Sequence, residues 1–269
     1  MHARRWIVLL LVLPLGCDPA HRTEPTVQKT EPARKATEPK SKPAPPYETR
    51  EDHDPNGIGK FYMGREIAQV MGHEAAGWLE RPEREREERS SKLLESLQLK
   101  NGLVVADVGA GSGYFTFPIA DKIGPKGKVL AVDIQDEMLD LIRKKMKDKK
   151  IANVEPIKGT ETDPKLPDAG VDLILLVDVY HEFSDPYEMT VAMCKALKPG
   201  GKLVFVEFRM EDEKVPIKLV HKMSEKQVLK EMEPHPLKHA KTLDGLPWQH
   251  IIIFEKKADG QDKPDEKKP

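Results

Sequence analysis

The sequence predicts an α/β domain built on a doubly wound, mostly parallel sheet that ends in an antiparallel strand pair. Three observations support this fold class. Short apolar, β-branched runs alternate along the chain with amphipathic segments of helical length. The first of these runs leads directly into a glycine-rich turn and then a helix, as in open parallel sheets. Near the C-terminus, two strand-like runs are separated only by a turn, which antiparallel strands allow and parallel strands do not.

The first buried strand is predicted at residues 103–106, and a helix is predicted at 114–123. Glycines at every second position of the turn between them permit positive φ and let the backbone approach a ligand closely. The free N–H groups at the start of the helix point back to the same place. The candidate binding residues of this turn are Asp107, Gly109, Gly111 and Gly113.

Further strands and helices complete a predicted sheet of seven strands. The later strands are predicted at 127–133, 153–158, 171–178, 203–208, 237–243 and 249–255. The helices between them are predicted at 137–149, 185–197 and 215–232. A turn at Asp244-Gly245 joins the last two strands, which form the antiparallel pair.

Asp133 ends the second predicted strand, 24 residues beyond Gly109. A carboxylate at this position can accept hydrogen bonds from both ribose hydroxyls of an adenosine ligand. Nucleoside-binding α/β proteins of several kinds share this feature. Asp133 therefore predicts nucleoside binding without identifying the cofactor.

The glycine spacing identifies a family. The turn reads D-x-G-x-G-x-G, whereas dinucleotide-binding loops read G-x-G-x-x-G. The observed pattern resembles motif I of the class I S-adenosylmethionine-dependent methyltransferases. The run LKPGGKLVFVE at 197–207 resembles the small-molecule branch of that family, which includes the quinone C-methyltransferases. The resemblance implies a Rossmann-like sheet, S-adenosyl-L-methionine as cofactor and a small-molecule acceptor.

The resemblance also implies further site residues. Family members have an acid directly after the glycine that follows strand three, and Thr160 stands there, so Glu161 or Asp163 is expected to reach the adenine. Asp178 and the loop after it match the family's motif that faces the transferable methyl group. In that loop His181 or Glu182 is the candidate base for an acceptor that must lose a proton; alternatively, both only shape the pocket. We assign no metal ligands from the sequence.

Two other functions remain open at this point. A module that binds S-adenosylmethionine or S-adenosylhomocysteine without turnover would have the same acidic residues. A nicotinamide-dependent dehydrogenase is disfavoured by the glycine spacing and by the terminal strand pair. The net charge of −1 gives no reason to expect nucleic-acid binding, and no protein partner can be inferred.

The N-terminus resembles a bacterial lipoprotein signal. Arg4 and Arg5 precede an apolar run at 6–15, and Gly16-Cys17 follows. The run of about ten residues is too short to span a bilayer as a helix. The resemblance implies that residues 1–16 are a signal peptide and that lipid on Cys17 anchors an exported protein to a membrane. An ordinary signal peptide, an uncleaved anchor and a cytoplasmic protein are the alternatives.

The remaining segments complete the predicted domain organisation. Residues 17–54 are rich in Pro, Thr and Glu and are predicted to be a disordered tether, while 257–269 form a disordered charged tail. The methyltransferase domain is predicted at 55–256. It is expected to begin with a helix at 61–79, interrupted by glycines, in which His73 and Trp78 either line the pocket or pack against other helices. A second helix, with a solvated charged face, is expected from Pro82 to Leu97.

Overall fold

The computed structural model describes residues 46–258. The predicted signal peptide at 1–16, the lipid on Cys17, most of the tether and most of the charged tail lie outside these residues. The strands are β1 (Tyr47–Thr49), β2 (Gly57–Tyr62), β3 (Arg65–Ala68), β4 (Val104–Val108), β5 (Lys128–Asp133), β6 (Val154–Lys158), β7 (Val171–Val177), β8 (Leu197–Phe208), β9 (Leu237–Leu243) and β10 (Gln249–Lys256).

The described residues also form seven α-helices and three short 3₁₀ turns. The helices are α1 (Ala76–Leu79), α2 (Arg84–Glu88), α3 (Ser90–Ser96), α4 (Thr116–Ile123), α5 (Asp136–Lys149), α6 (Pro186–Ala196) and α7 (Glu225–Met232). The 3₁₀ turns are His73–Ala75, Tyr180–Glu182 and Leu219–His221. Within residues 46–258, no helix is long and apolar enough to cross a membrane.

The main sheet has seven strands in the order β6-β5-β4-β7-β8-β10-β9. The pairs from β6 to β8 are parallel, and β10 is antiparallel to both of its neighbours. The order reverses between β4 and β7, which is the position where open α/β sheets bind ligands beyond the strand ends. The predicted fold class is confirmed: a Rossmann-like, doubly wound sheet of seven strands with a terminal antiparallel pair.

Alternating strand residues build two separate apolar layers, one on each face of the sheet. Val105 packs with the layer that contains α3, α4 and α5, whereas Ala106 packs with the layer that contains α6 and α7. The same alternation separates Leu175 from Leu176 in β7. Because successive side chains of a strand point to opposite faces, a strand covered on both faces reads as a continuous apolar run.

The N-terminal part of the domain differs from the prediction. Residues 61–79 were predicted to be helical, but β2 and β3 form a hairpin joined by Met63 and Gly64. Both turn residues have positive φ, 51° and 93°, which suits a two-residue hairpin turn and ends any helix there. The predicted helix from Pro82 to Leu97 is also broken, because Arg89 adopts φ 50° between α2 and α3.

The ordered domain also begins earlier than predicted. Strand β1 lies within the segment predicted to be a disordered tether and pairs with β2. The Tyr47 ring packs 5.2 Å from the Tyr62 ring, and its hydroxyl donates to Glu188 Oε2 at 2.6 Å. Those partners are distant in the sequence, so local composition gave no indication of them.

Candidate functional site

A cavity of about 700 Å³ lies at the carboxyl ends of the parallel strands. It brings together eight of the ten residues that we predicted to form the site. These are Gly109, Gly111, Asp133, Thr160, Glu161, Asp178, His181 and Glu182. The volume lies within the range of about 300–1,000 Å³ that is typical of small-molecule and cofactor sites.

The glycine turn is fixed against β5 by backbone hydrogen bonds. The N–H groups of Gly109 and Ala110 both donate to the Val132 carbonyl at 2.9 Å. The Gly111 N–H donates to Asp133 Oδ2, also at 2.9 Å. A Cβ added to Gly109 would lie 2.4 Å from the Val179 side chain. Only glycine at this position therefore allows the turn to lie so close to the segment after β7.

Asp133 is buried at the end of β5 and lines the cavity. Its second oxygen, Oδ1, accepts from the Gln135 N–H at 2.9 Å. Burial raises the pKa of Asp133, and hydrogen bonds from backbone N–H groups counteract that shift. Since a carboxylate offers about four lone-pair positions, Asp133 retains the capacity to accept hydrogen bonds from a ligand.

Asp107 and Gly113 are the two predicted residues that do not line the cavity. Asp107 is buried behind the glycine turn, where it accepts from the Thr116 hydroxyl at 2.6 Å. Burial raises the pKa of Asp107 to about 6, and the nearby charge of Asp133 adds to the shift. A Cβ on Gly113 would lie 2.7 Å from the Phe117 ring. Both residues therefore hold α4 against the turn.

The end of β6 contributes Thr160 and Glu161 to the cavity lining. The alternative adenine contact, Asp163, does not line the cavity and is paired with Lys165 Nζ at 2.7 Å. The Thr160 hydroxyl accepts from the Asp163 N–H at 3.0 Å, which closes this loop. Glu161 is therefore the acid placed to contact a ligand beyond β6.

Asp178 follows β7 with φ 51°, a left-handed conformation that is uncommon for residues other than glycine. Its Oδ2 accepts from Gln249 Nε2 at 2.8 Å, whereas its buried Oδ1 has no hydrogen-bond partner among residues 46–258. Burial raises the pKa of Asp178 well above its usual range, and the charges of Glu88 and Glu207 add to the shift. A buried carboxylate oxygen without a partner is uncommon, and it makes Asp178 a candidate ligand-binding residue.

These features fit S-adenosylmethionine. Gly111 lines the cavity without a side chain, Asp133 can accept from ribose hydroxyls, and the carboxylate of Asp178 suits a cationic amino group. We call the ends of β4, β5 and β6, together with Asp178, the cofactor half of the cavity. We call residues 179–184, the end of β8 and residues 216–221 the acceptor half.

The acceptor half is organised around His181. Its Nδ1 lies 2.6 Å from Glu207 Oε2, and both side chains are buried. Glu207 Oε1 accepts from the Tyr180 N–H at 3.0 Å, and Arg65 donates to the His181 carbonyl at 3.0 Å. Burial alone would lower the pKa of His181, but the charge and hydrogen bond of Glu207 outweigh it and the pKa is raised.

Two further polar groups face His181. Glu182 Oε1 lies 3.9 Å from His181 Nε2, and burial raises the pKa of Glu182 to about 7. His221 Nδ1 lies 3.2 Å from the same His181 nitrogen, and burial followed by the charge of His181 lowers the pKa of His221 to about 4. Glu182 Oε1 also accepts from the Met71 N–H at 3.2 Å, so the loop after β3 is fixed to this group.

The sequence analysis missed several residues that line the cavity. Arg84 and Glu88 belong to the helix predicted from Pro82 to Leu97, whose charged face was expected to be solvated. Both side chains are instead buried, form an ion pair at 2.8 Å and line the cavity. His221 was not singled out, because it lies 40 residues beyond His181 in the chain. Of the two open candidates, Trp78 lines the cavity and His73 does not.

Exposed apolar side chains surround the cavity entrance. Ile58, Val70 and Trp78 all line the cavity and remain 42%, 45% and 47% exposed. Large apolar side chains left this accessible beside a cavity indicate a binding surface. The acceptor half is apolar inside as well, with Phe183, Phe208 and Ile217 in its lining.

Comparisons with known proteins identify the family of this chain. Residues 99–262 match the family model described as "Methyltransferase domain". The Shewanella piezotolerans ubiquinone/menaquinone biosynthesis C-methyltransferase UbiE is 34% identical over 116 residues, which cover 43% of this chain and 46% of that protein. The Listeria welshimeri demethylmenaquinone methyltransferase is 29% identical over 116 residues, or 43% of this chain and 49% of that protein. The chain thus spans about half the length of these relatives.

A solved structure resembles the chain over a larger part of its length. The S-adenosylmethionine-dependent methyltransferase from Aquifex aeolicus is 26% identical, with a TM-score of 0.66. The similarity covers 70% of this chain and 100% of that one. The chain therefore belongs to the methyltransferase-domain family and has the Rossmann-like fold of the class I S-adenosylmethionine-dependent methyltransferases.

Proposed function

We propose that this protein transfers a methyl group from S-adenosylmethionine to a small, largely apolar acceptor. One observation carries the proposal: the glycine turn, Asp133 and Asp178, which has an unpartnered carboxylate oxygen, all line the same cavity. When bound, the cofactor supplies an electrophilic methyl group on a sulfonium. Gly111 and Asp133 bind the nucleoside part, Glu161 contacts the base, and Asp178 receives the amino group.

Positioning accounts for most of the proposed catalysis. Methyl transfer from a sulfonium needs no proton for its leaving group, so a base is required only if the acceptor must lose a proton. His181 is the candidate for that role, because Glu207 occupies Nδ1, and Nε2, the nitrogen that can accept a proton, lies on the cavity side beside His221 Nδ1 at 3.2 Å. Arg65 and Glu207 position His181 without lining the cavity themselves.

The acceptor class is inferred from the acceptor half and from the relatives. Its apolar lining favours a planar or aliphatic molecule with few charges. Two relatives have names that refer to quinone methylation, which supports a quinol or related phenol as the first compounds to test.

Calorimetry of the full chain tests the cofactor assignment. We expect S-adenosylmethionine and S-adenosylhomocysteine to bind with one site per chain and NAD to give no heat of binding. Turnover is then measured with radiolabelled S-adenosylmethionine and a panel of quinols and phenols. Binding of NAD alone would contradict the proposal. Binding of S-adenosylmethionine with no transfer to any member of a broad panel would favour the non-catalytic alternative.

We further propose that residues 1–16 direct export and that Cys17 carries lipid that holds the protein at a membrane. The motive is the order of Arg4-Arg5, the apolar run 6–15 and Gly16-Cys17. Since one acyl chain gives only marginal binding, stable anchoring requires the several chains that lipoproteins carry. A fatty-acid analogue should label the wild type and not Cys17→Ser. An unlabelled protein with Met1 intact in the cytosolic fraction would contradict export.

A further inference from the structure

Three side chains that can bind metal ions converge in the acceptor half of the cavity. They are His181, Glu182 and His221, and all three line the cavity. His181 Nε2 lies 3.2 Å from His221 Nδ1. Glu182 Oε1 lies 3.9 Å from the first of these nitrogens and 3.8 Å from the second. The three atoms thus form a compact triangle of two imidazole nitrogens and one carboxylate oxygen.

The size of this triangle matches a single bound ion. Imidazole nitrogens bind zinc at about 2.0–2.1 Å and carboxylate oxygens at about 2.0–2.2 Å, so two ligands of one ion lie at most about 4.2 Å apart. All three observed separations, 3.2, 3.8 and 3.9 Å, are below that limit. One ion can therefore contact all three atoms without movement of the backbone.

The surroundings of His181 are those of a metal-binding histidine. A ligating imidazole usually donates its other N–H to a carboxylate, which fixes the tautomer and the ring orientation. His181 Nδ1 lies 2.6 Å from Glu207 Oε2, and the Glu207 side chain is fully buried. The lone pair of His181 is therefore on Nε2, the atom that faces His221 and Glu182.

The local charge balance favours a cation. Glu182 brings one carboxylate to the cluster, and Glu207 places a second beside His181. Two basic side chains lie nearby and have partners of their own: Arg65 donates to the His181 carbonyl and is paired with Glu231, at 2.8 and 3.1 Å, and Lys218 donates to Asn56 at 2.6 Å. A divalent ion at the triangle would offset both carboxylates in a partly buried site.

We propose that His181, Glu182 and His221 bind a divalent transition-metal ion. Two imidazoles and one carboxylate suit zinc, iron, cobalt, nickel or manganese and leave coordination positions open toward the cavity. An acceptor with a phenol or enol oxygen would bind there, and coordination would favour its deprotonated form. With His181 Nε2 bound to the ion, the metal takes the place of His181 in favouring loss of the acceptor's proton. This last step rests on the proposed methyl transfer, whereas the metal site itself does not.

The full chain, freed of metal with a chelator, is titrated with Co²⁺ by visible absorption and with Zn²⁺ by calorimetry. We expect one ion per chain. Glu207→Gln should weaken binding by about 10–100-fold through its effect on His181. His221→Ala removes a ligand and should weaken binding by at least about 100-fold.

The turn His73–Ala75 provides a matched control. It also contains an adjacent His–Glu pair in a 3₁₀ turn, but His73 is 41% exposed, lies 3.7 Å from Glu74 and does not line the cavity. His73→Ala and Glu74→Gln should bind metal with wild-type affinity. The absence of stoichiometric Co²⁺ and Zn²⁺ binding, or equal losses in His73→Ala and His221→Ala, would overturn the site.

Two measures keep the outcome decisive. His181→Ala also removes a ligand, but His181 is buried. If that variant does not fold, His221→Ala still tests the site, because His221 is partly exposed. S-adenosylmethionine binding is measured on the same metal-free protein. Cofactor binding without metal binding would overturn the metal site alone, and metal binding without cofactor binding would overturn the proposed function alone.

Discussion

The two halves of the cavity are assembled in different ways. The cofactor half consists of a local sequence unit: the glycine turn follows β4, and its Gly111 N–H is bonded to Asp133, 22 residues away. The acceptor half is assembled from distant parts of the chain. His181 contacts the side chains of Glu207 and His221, and Arg65, 116 residues away, donates to the His181 carbonyl. The cofactor half thus depends on backbone shape, and the acceptor half on long-range polar contacts.

The largest effect should come from Gly111→Val. Gly111 has φ 52°, where a β-branched residue is strained, and its added side chain would enter the cavity and meet Leu79 at 2.6 Å. We expect no measurable binding of S-adenosylmethionine in calorimetry. Gly77→Ala is the control, because Gly77 has no atom within 4 Å of an added Cβ. Wild-type affinity in a folded Gly111→Val protein would remove the turn from the site.

Asp133→Ala should produce the next largest loss. Two charge-assisted hydrogen bonds to ribose hydroxyls are worth about 1.5–3 kcal/mol each, so the affinity for S-adenosylmethionine should fall at least about tenfold. His221→Ala, in the acceptor half, should leave this affinity within about twofold of wild type. A loss as large in His221→Ala as in Asp133→Ala would break the division between the two halves.

Asp178→Asn should change affinity and stability in opposite directions. Because Asn cannot carry a negative charge opposite the amino group of the cofactor, the change should weaken S-adenosylmethionine binding by about three- to tenfold. Because burial and the charges of Glu88 and Glu207 raise the pKa of Asp178, its charged form costs stability without ligand, so Asp178→Asn should raise the free energy of unfolding, and more so as the pH increases.

Calorimetry and urea unfolding measure the two effects of Asp178→Asn. Asp140→Asn is the control, because Asp140 is an exposed acid on α5 and is paired only with a nearby arginine at 2.7 Å. A stability loss in Asp178→Asn without any change in affinity would assign Asp178 a structural role only.

The smallest effect on binding is expected for Asp107→Asn, which should leave the affinity for S-adenosylmethionine within about twofold of wild type. Its effect on stability depends on pH. Burial raises the pKa of Asp107 from 3.8 to about 6, so the folded state holds the proton more tightly than the unfolded state. Its stabilising contribution is complete below about pH 4 and is lost as the pH rises through about 6.

Urea unfolding of both proteins at a series of pH values measures this contribution. Relative to Asp107→Asn, wild type should lose about 2–3 kcal/mol of unfolding free energy between about pH 4 and about pH 7. Parallel curves would mean that folding does not raise the pKa of Asp107. A tenfold weaker affinity in Asp107→Asn would return this residue to the ligand site.

Much of the fold was predictable because its main elements are defined by local patterns. Apolar runs that are buried on both faces identified the inner strands β4, β5, β7, β8 and β10 of the main sheet, and the turn at Asp244-Gly245 identified the antiparallel pair. The helix predicted at 61–79 was wrong, because an apolar spacing compatible with a helix also fits a hairpin when Met63 and Gly64 turn the chain. The spacing of apolar residues carries no information about the backbone conformation of a turn.

The sequence alone determined the family and indicated the seven-stranded sheet, and it singled out Gly109, Gly111 and Asp133, which line the cofactor half, because a glycine turn and an acid at the next strand end form one short unit. Only the tertiary structure placed Asp107 behind the turn, buried Arg84 and Glu88, and brought His221 to His181. Those positions depend on which side of an element faces the core and on contacts between residues far apart in the chain. Such contacts exist only after the sheet and its two layers of helices have packed together.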